Sequence, residues 1–189
     1  MRVPLNVAIT GGIGAGKSEA LRAFARHGAA TASADEIVHR LYADPEVQQS
    51  LVERWGDDVL AGEEVDRKRI GEIVFADRDE LIWLESLLHP RVVAEQARWR
   101  GEQTAQLVVV EIPLLYETGG EERFDAVVVI TAPEETRRGR TEVADVTERQ
   151  GRLLSDEEKA ERADFVYVND GSLEELDAFV RSVVQRLAP

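Results

Sequence analysis

An apolar run followed at once by a glycine-rich loop constrains the fold of this chain more than any other feature. Residues Leu5 to Thr10 form a short apolar stretch bounded by Pro4 and Gly11, which predicts a buried parallel strand. Residues 16–25 then carry apolar positions at helical spacing. The chain therefore begins as strand, glycine loop and helix, and this order indicates an α/β fold.

The loop itself has a phosphate-binding pattern. Its residues 11–18, GGIGAGKS, match G-x-x-x-x-G-K-[ST], in which glycines let the backbone turn tightly so that successive N–H groups point at a phosphate. We expect Lys17 to bridge the β- and γ-phosphates of ATP and the Ser18 hydroxyl to ligate Mg²⁺. The alternative, an exposed lysine in a glycine-rich turn, fits the flanking strand and helix poorly. The predicted nucleotide-binding residues of this segment are Gly11, Gly12, Ile13, Gly14, Ala15, Gly16, Lys17, Ser18 and Glu19.

Further strands and helices complete the α/β pattern. Residues Leu107 to Ile112 and Ala126 to Thr131 are rich in valine and apolar on both faces, as expected of parallel strands covered by helices on each side. Shorter strands are predicted at Ala29–Ala32 and Phe165–Val168. Helix starts are predicted at Asp44, Asp66, Asp77 and Ser172, the last before apolar residues at three- and four-residue spacing that continue to Leu187.

Composition narrows the class of protein. The chain has 189 residues, 43% of them apolar and 32% charged, with no cysteine and a net charge of -14. This balance predicts one globular domain whose surface repels nucleic acid and anionic membranes. The sequence shows neither an apolar run of bilayer length nor a leader pattern. We therefore expect a cytoplasmic protein without nucleic-acid or membrane partners, as a monomer or a small homo-oligomer.

Two acidic residues follow predicted strands. Asp35 lies just beyond the second strand, at the carboxyl edge of the sheet where open α/β folds bind ligands. It is a candidate to accept a substrate hydroxyl proton or to order Mg²⁺-bound water, and the alternative is an N-cap for a helix from Glu36. Glu111 ends a later strand and is either an acid near Mg²⁺ or a structural residue.

Basic residues form two further groups. The His89-Pro90-Arg91 segment is interpreted either as a helix stop with a new start at the proline or as an imidazole and a guanidinium near an anionic substrate. Five arginines follow the fourth predicted strand and form either a solvated helical face or a source of transition-state charge over the phosphate loop: Arg137, Arg138, Arg140, Arg149 and Arg152. The last strand precedes Asn169-Asp170-Gly171 rather than a guanine-reading N-K-x-D segment, and this disfavours a GTPase.

Five segments in a fixed order resemble one family. They are TGGIGAGKS at 10–18, ADEI at 34–37, LLHPRV at 87–92, IPLLYETG at 112–119 and ADFVYVNDGSLEEL at 163–176. Together they make nearly the whole chain similar to the dephospho-CoA kinase family. The combination of HPRV with PLLYE is quite specific to that family, whereas the phosphate loop is general.

The resemblance implies an α/β fold with a parallel-sheet P-loop NTPase core at residues 1–34 and 104–189. A helical substrate-binding insertion at about 35–103 and a short lid at about 140–160 are implied as well. The implied reaction transfers the γ-phosphate of ATP to the ribose 3′-hydroxyl of dephospho-CoA, the final step of coenzyme A synthesis. Another P-loop small-molecule kinase, of the nucleoside monophosphate or shikimate type, and a nucleotide-binding protein with a non-catalytic lid are the alternatives.

The resemblance also assigns residue roles. Lys17, Asp35 and Arg140 match the catalytic lysine, the candidate base and a lid arginine. Substrate-binding positions are implied at Asp35, His89, Arg91, Pro113, Leu114 and Leu115, and positions near the adenine at Asn169 and Gly171.

The chain departs from the family pattern in three places. Ser33 and Glu19 stand where an aspartate and a threonine are usual. The segment between Arg140 and Ala163 is shorter than the usual lid, with Leu153 where a glutamine is common. For this reason Arg149 is a second candidate for the transition-state arginine.

Overall fold

The computed structural model describes residues 4–140 and 154–188. The chain folds as two compact units, one of residues 1–33 with 102–189 and the other of residues 34–101. Within the described ranges, no helix combines the length and the apolar character needed to span a bilayer.

The strands are β1 Leu5–Thr10, β2 Ala30–Ser33, β3 Leu60–Ala61, β4 Glu64–Val65, β5 Leu107–Glu111, β6 Ala126–Thr131 and β7 Phe165–Val168. The helices are α1 Lys17–Arg26, α2 Ala34–Leu41, α3 Pro45–Trp55, α4 Arg67–Ala76, α5 Arg78–Gly101, α6 Glu134–Arg138, α7 Asp156–Glu161 and α8 Leu173–Leu187.

The first unit is built on a five-stranded sheet in the order β2-β5-β1-β6-β7. All four strand pairs are parallel, and Val7 of β1 lies between Val109 of β5 and Ala126 of β6. The prediction of an α/β fold with a parallel sheet is thereby confirmed. The three strands β1, β6 and β7 have the predicted bounds, while β2 begins and ends one residue later and β5 ends one residue earlier than predicted.

The central strands are buried on both faces because helices and loops cover both sides of the sheet. On one face, α1 and α8 pack against it through residues such as Phe24 and Val180, both fully buried. Burial of one such side chain contributes roughly 1.5–3 kcal/mol. At the edge strand β7, Tyr167 stacks on Phe179 of α8 with ring centroids 4.9 Å apart. This packing holds α8 against the edge strand β7.

Helix α8 begins as the sequence predicts. The Ser172 hydroxyl accepts a hydrogen bond from the Glu175 backbone N–H at 3.2 Å, and the Glu175 carboxylate accepts one from the Ser172 backbone N–H at 2.7 Å. A side chain at Gly171 would meet that carboxylate, since a Cβ there would lie 2.0 Å from Glu175 Oε2. Gly171 therefore leaves room for this capping box.

The second unit is helical and includes the antiparallel β3–β4 pair. Its helices begin at the predicted caps: Asp44 accepts from the Glu46 backbone N–H at 2.8 Å, and Asp66 accepts from the Lys68 backbone N–H at 3.0 Å. Such caps contribute about 1 kcal/mol each. The helices pack around a core of their own, made of Val47, Leu51, Val59, Ile70, Val74, Leu84 and Leu88.

The predicted helix stop at Pro90 is wrong, because α5 continues through the proline as one helix of 24 residues. A proline inside a helix removes one hydrogen bond and crowds the preceding turn. Burial of Leu84 and Leu88, each less than a tenth exposed, holds the first half of α5 against the core of its unit. In addition, the Arg91 guanidinium donates to the Leu87 carbonyl at 2.9 Å in the turn that the proline ring disturbs. Tertiary packing thus outweighs the local preference.

Candidate functional site

The phosphate loop connects β1 to α1, and its shape requires glycine. Gly11, Gly14 and Gly16 have φ angles of 142°, 74° and 99°, which L side chains rarely adopt. A Cβ at Gly11 would lie 1.9 Å from the Ile130 carbonyl oxygen of β6. The loop therefore lies directly on the neighbouring strand.

The beginning of α1 places backbone N–H groups beside the loop. Gly16 is its N-cap residue and makes no side-chain capping hydrogen bond, and the positive end of the helix dipole there favours an anion. Lys17 is 9% exposed, and its Nζ donates to the Gly12 carbonyl at 2.9 Å. Ser18 is exposed beside it. The loop, the first turn and the ammonium group together form a preformed phosphate cradle.

Asn169, which follows β7, supports this cradle. Its amide nitrogen donates to the Ala15 carbonyl at 2.8 Å, and the residue is 5% exposed. A Cβ at Gly16 would lie 2.2 Å from the same nitrogen. The structure thus gives Asn169 a contact with the loop backbone, a role distinct from the adenine contact that the resemblance implies.

Glu19 directs its carboxylate away from the loop. It accepts hydrogen bonds from Arg22 at 2.5 Å and from Arg26 at 3.1 Å. Burial raises the pKa of Glu19, but the hydrogen bonds from the two arginines outweigh it and leave the pKa below its usual value. The carboxylate is therefore engaged by cations of its own helix, and the Glu19 backbone N–H donates to the Gly16 carbonyl at 3.1 Å.

Two arginines of the segment after β6 contact the loop. Arg140 is exposed, and its Nη1 lies 3.4 Å from the Gly14 carbonyl. Arg137 forms an ion pair with Asp156 at 3.2 Å, and a Cβ at Gly12 would meet both partners within 3 Å. Sequence analysis did not single out this pair. Arg137 was one of five clustered arginines, and Asp156 carries no motif.

The other predicted lid residues, Arg149, Arg152 and Leu153, lie outside the described residues. The predicted lid therefore has described structure only at Arg140 and from 154 onward.

The carboxyl ends of β2 and β5 lie side by side. Ser33 is in register with Glu111, and Glu111 is in register with Ile9 of β1. The Glu111 residue is 7% exposed. One carboxylate therefore ends the strand next to β1, and the position where the family usually has an aspartate carries a hydroxyl.

The PLLYE segment that follows β5 has both exposed and buried members. The Pro113 carbonyl accepts from the Thr10 hydroxyl at 3.2 Å, and Leu114 is 41% exposed. Leu115 is fully buried in a core cluster. Of the three positions implied to bind substrate, Leu114 is the one whose side chain faces solvent.

A buried ion pair follows in the same segment. Lys159 of α7 lies 2.8 Å from Glu117, with side chains 3% and 11% exposed. Next to it, the Tyr116 hydroxyl is buried and has no hydrogen-bond partner among the described residues. Burial raises the pKa of the Tyr116 hydroxyl above its usual value, and the Arg162 guanidinium over the ring offsets only part of this increase. The pairing of Lys159 with Glu117 and of Arg162 with Tyr116 joins residues far apart in the sequence, so it could not be predicted from local sequence patterns.

In the second unit, Asp35 lies in a surface depression of about 440 Å³ that is lined by Asp35, Glu36, His39, Arg40 and Arg67. The interpretation of Asp35 as an N-cap is wrong, because α2 begins at Ala34 and Asp35 belongs to its first turn. A carboxylate there is favoured by the helix dipole. It is also exposed, and so it is accessible to a ligand.

Cationic groups face Asp35 in this depression. Arg67 donates from Nη1 to His39 Nδ1 at 2.9 Å, and a guanidinium can only donate. Nδ1 of His39 is therefore the acceptor in this contact. Burial raises the pKa of the nearby Tyr42 hydroxyl, whereas the Arg67 charge lowers it. The depression thus combines two carboxylates, those of Asp35 and Glu36, with donors suited to an anion.

His89 and Arg91 lie elsewhere on the same unit, in the middle of α5. His89 is exposed. Arg91 is partly exposed; besides its contact with Leu87, it lies 3.9 Å from Glu46. No contact among the described residues assigns either side chain to a ligand.

Comparison with known proteins gives a consistent result. The family model for dephospho-CoA kinase matches residues 5–175. A dephospho-CoA kinase of Protochlamydia amoebophila is 36% identical, with 96% of this chain and 95% of that protein covered. The crystal structure of a Thermus thermophilus protein has a TM-score of 0.86 and 31% identity over 100% of both chains. A dephospho-CoA kinase from Campylobacter jejuni has a TM-score of 0.72 and 26% identity, covering 97% of this chain and 96% of that one. The chain belongs to the dephospho-CoA kinase family.

Proposed function

We propose that this chain is an ATP-dependent dephospho-CoA kinase. It transfers the γ-phosphoryl group of ATP to the ribose 3′-hydroxyl of dephospho-CoA and releases coenzyme A and ADP, which completes coenzyme A synthesis. The observation that carries the proposal is the preformed phosphate cradle, with Lys17 held by Gly12 at 2.9 Å, in a chain that matches the family from residue 5 to 175.

The first unit binds the nucleotide in this proposal. Lys17 and the N–H groups of the loop and of the first turn of α1 contact the β- and γ-phosphates. Asn169 keeps the loop in its binding shape through the Ala15 carbonyl. Preorganised donors of this kind stabilise the charge that develops on the transferring phosphoryl group.

Mg²⁺ is proposed as the cofactor, and the residues present fit it. Mg²⁺ usually keeps several waters and takes one or two protein ligands beside substrate phosphates. The exposed Ser18 hydroxyl and the Glu111 carboxylate at the end of β5 are the oxygen donors that would hold it. When bound, Mg²⁺ neutralises phosphate charge during transfer.

The second unit supplies the acceptor site. Asp35 orients the 3′-hydroxyl and accepts its proton as the bond to phosphorus forms. His39, Arg40 and Arg67, which share its depression, offer donors to the diphosphate of dephospho-CoA. Residues 35–103 thus act as the substrate-binding insertion.

The remaining assigned residues complete the proposal. His89 and Arg91 of the second unit, and Pro113 and Leu114 of the first unit, are proposed as substrate-binding residues. Arg140, at the start of the 140–160 lid, stabilises the transferring phosphoryl group. The proposed enzyme acts in the cytoplasm as a monomer or a small homo-oligomer.

The proposal is tested by measuring ADP formation with ATP and each of four acceptors: dephospho-CoA, coenzyme A, AMP and shikimate. Mass spectrometry of the product then identifies the phosphorylated position. We expect ADP and a 3′-phosphate with dephospho-CoA alone. Turnover with AMP or shikimate instead would show another small-molecule kinase, and ATP binding without ADP formation would show a non-catalytic nucleotide-binding protein.

A further inference from the structure

Arg137, in the last turn of α6, has its guanidinium on the phosphate loop. A Cβ at Gly12 would lie 2.8 Å from Arg137 Nη1, and the Gly12 carbonyl accepts from Lys17 Nζ at 2.9 Å. Two cations therefore flank one loop residue. The phosphate-loop lysine contacts the β- and γ-phosphates in this motif, so Arg137 lies beside the loop residue that holds a phosphate-contacting group.

The partner of Arg137 is a carboxylate beside the same loop. Asp156, the first residue of α7, lies 3.2 Å from Arg137 Nη1, with side chains 17% and 29% exposed. A Cβ at Gly12 would also lie 2.9 Å from Asp156 Oδ1. A carboxylate so close to a phosphate site repels the phosphate unless its charge is compensated.

One buried donor of the Arg137 guanidinium lies outside the ion pair. Nε of Arg137 is buried and has no hydrogen-bond partner among the described residues. A buried donor without an acceptor is costly. An anion with three terminal oxygens can accept from Nε and Nη together, in the fork geometry that arginine favours. The unused donor therefore points to a second acceptor for this side chain.

We propose that Arg137 exchanges acceptors during binding: it pairs with Asp156 in the free protein and with the terminal phosphate of ATP in the complex. This inference rests on the proposed function, since it assumes that ATP occupies the loop. Arg137 then contacts the transferring group, and Asp156 competes with the phosphate for the same guanidinium.

The adjacent arginine provides a matched control. Arg138 has a side chain that is 69% exposed and pairs with Glu134 at 2.5 Å on the surface of α6. It shares the charge and the helix of Arg137 but has no described contact with the loop. A loss of nucleotide affinity that occurs in Arg137→Ala and is absent from Arg138→Ala is therefore due to the position of the Arg137 guanidinium.

The test is calorimetric titration of the purified full-length protein with AMP, ADP and a non-hydrolysable ATP analogue. In Arg137→Ala we expect roughly tenfold to hundredfold weaker binding of the ATP analogue, the value of a charge-assisted hydrogen bond. The loss should be smaller for ADP and absent for AMP. Asp156→Asn should bind the ATP analogue more tightly than the parent protein, because a competing carboxylate has been removed. Arg138→Ala should match the parent.

Opposite results would overturn the inference. Equal losses for all three nucleotides in Arg137→Ala, with a lower melting temperature, would show a structural ion pair only. Weaker binding of the ATP analogue in Asp156→Asn would show that the carboxylate does not compete with phosphate.

The proposed function can fail separately. The titrations contain no dephospho-CoA, so a protein that shows the expected nucleotide pattern without phosphorylating dephospho-CoA would refute the proposed function alone. Conversely, an active kinase whose Arg137→Ala variant retains its ATP affinity and its kcat would refute this inference alone.

Discussion

Replacing Lys159 with methionine will destabilise the protein, because it leaves the Glu117 carboxylate buried without its counter-charge. The two groups are 2.8 Å apart, and their side chains are 3% and 11% exposed. Removing one partner of a buried ion pair costs about 3–5 kcal/mol. For a chain of this size each kcal/mol lowers the melting temperature by about 2–4 °C, so we expect a decrease of roughly 6–20 °C.

The surroundings of Glu117 offer little compensation. Its Oε1 also accepts from the Leu154 backbone N–H at 3.2 Å. Its Oε2 is buried without a hydrogen-bond partner among the described residues. Methionine preserves most of the volume of the lysine stem, so the loss reports the missing charge more than a cavity.

A second variant isolates the charge. Glu117→Gln in the Lys159→Met background removes the stranded carboxylate and retains an acceptor for the Leu154 N–H. We expect the double variant to recover at least half of the lost stability, because neutral replacement of both partners avoids the cost of an unpaired buried ion.

Urea unfolding followed by circular dichroism measures both changes. The three tryptophans, Trp55, Trp83 and Trp99, all lie in the second unit, so fluorescence alone would report the wrong part of the chain. Arg69→Ala is the control, because it breaks an exposed ion pair with Glu72 at 3.2 Å. It should lower the free energy of unfolding by less than about 1 kcal/mol. The reasoning is refuted if Lys159→Met costs no more than this control, or if the double variant is less stable than Lys159→Met.

Four further predictions concern the loop, the acceptor site and the acid stability. Lys17→Ala should abolish most turnover and preserve the fold by circular dichroism, and near-normal turnover would contradict the loop assignment. Asp35→Asn should lower kcat by orders of magnitude and change the melting temperature little, since a first-turn carboxylate contributes only about 0.3–1 kcal/mol; an unchanged kcat would exclude a base. Asn169→Ala should weaken ATP binding and lower the free energy of unfolding by about 1–3 kcal/mol, because the Ala15 carbonyl loses its buried donor. An unchanged calorimetric affinity for ATP would show that Asn169 is a purely structural residue. Hydrogen bonds from the histidine and the arginine at the end of α1 lower the pKa of Asp177 below 3.8. The ionised carboxylate therefore stabilises the folded protein above pH 3.8, and this stabilisation is lost as the pH falls through the lower pKa of the folded state. Asp177→Asn should reduce the dependence of the melting temperature on pH in that acid range, and a melting-temperature profile identical to that of the parent protein would contradict this.

Short-range patterns predicted much of the fold. The strands β1, β6 and β7 and the helix caps Asp44 and Ser172 were identified within a few residues of sequence, because alternation, apolar runs and capping spacings are local properties. The phosphate loop belongs to the same class. A glycine is needed wherever φ is positive or a neighbouring backbone approaches closely, and these needs appear in the motif itself.

Predictions from local sequence patterns were wrong where tertiary packing or the exact first residue of a helix decided the structure. The helix break expected at Pro90 did not occur, since α5 is held against the core of its unit on the side of Leu84 and Leu88. The alternative interpretation of Asp35 as an N-cap is wrong, because α2 begins at Ala34, two residues before the Glu36 start that it assumed, and Asp35 lies in the first turn. The second error is one of boundary, because a sequence pattern places a helix end only within a residue or two.

The sequence by itself determined that a phosphate loop joins a buried strand to a helix, because glycine spacing and apolar runs act over a few residues. The tertiary structure alone decided which charges meet there. Arg137 and Asp156 are brought to Gly12, and Lys159 is brought to Glu117, only because parallel strands return each connection to the same sheet. Charges distant in sequence have no local signal for their partners, so their roles follow from how the chain is folded around the sheet.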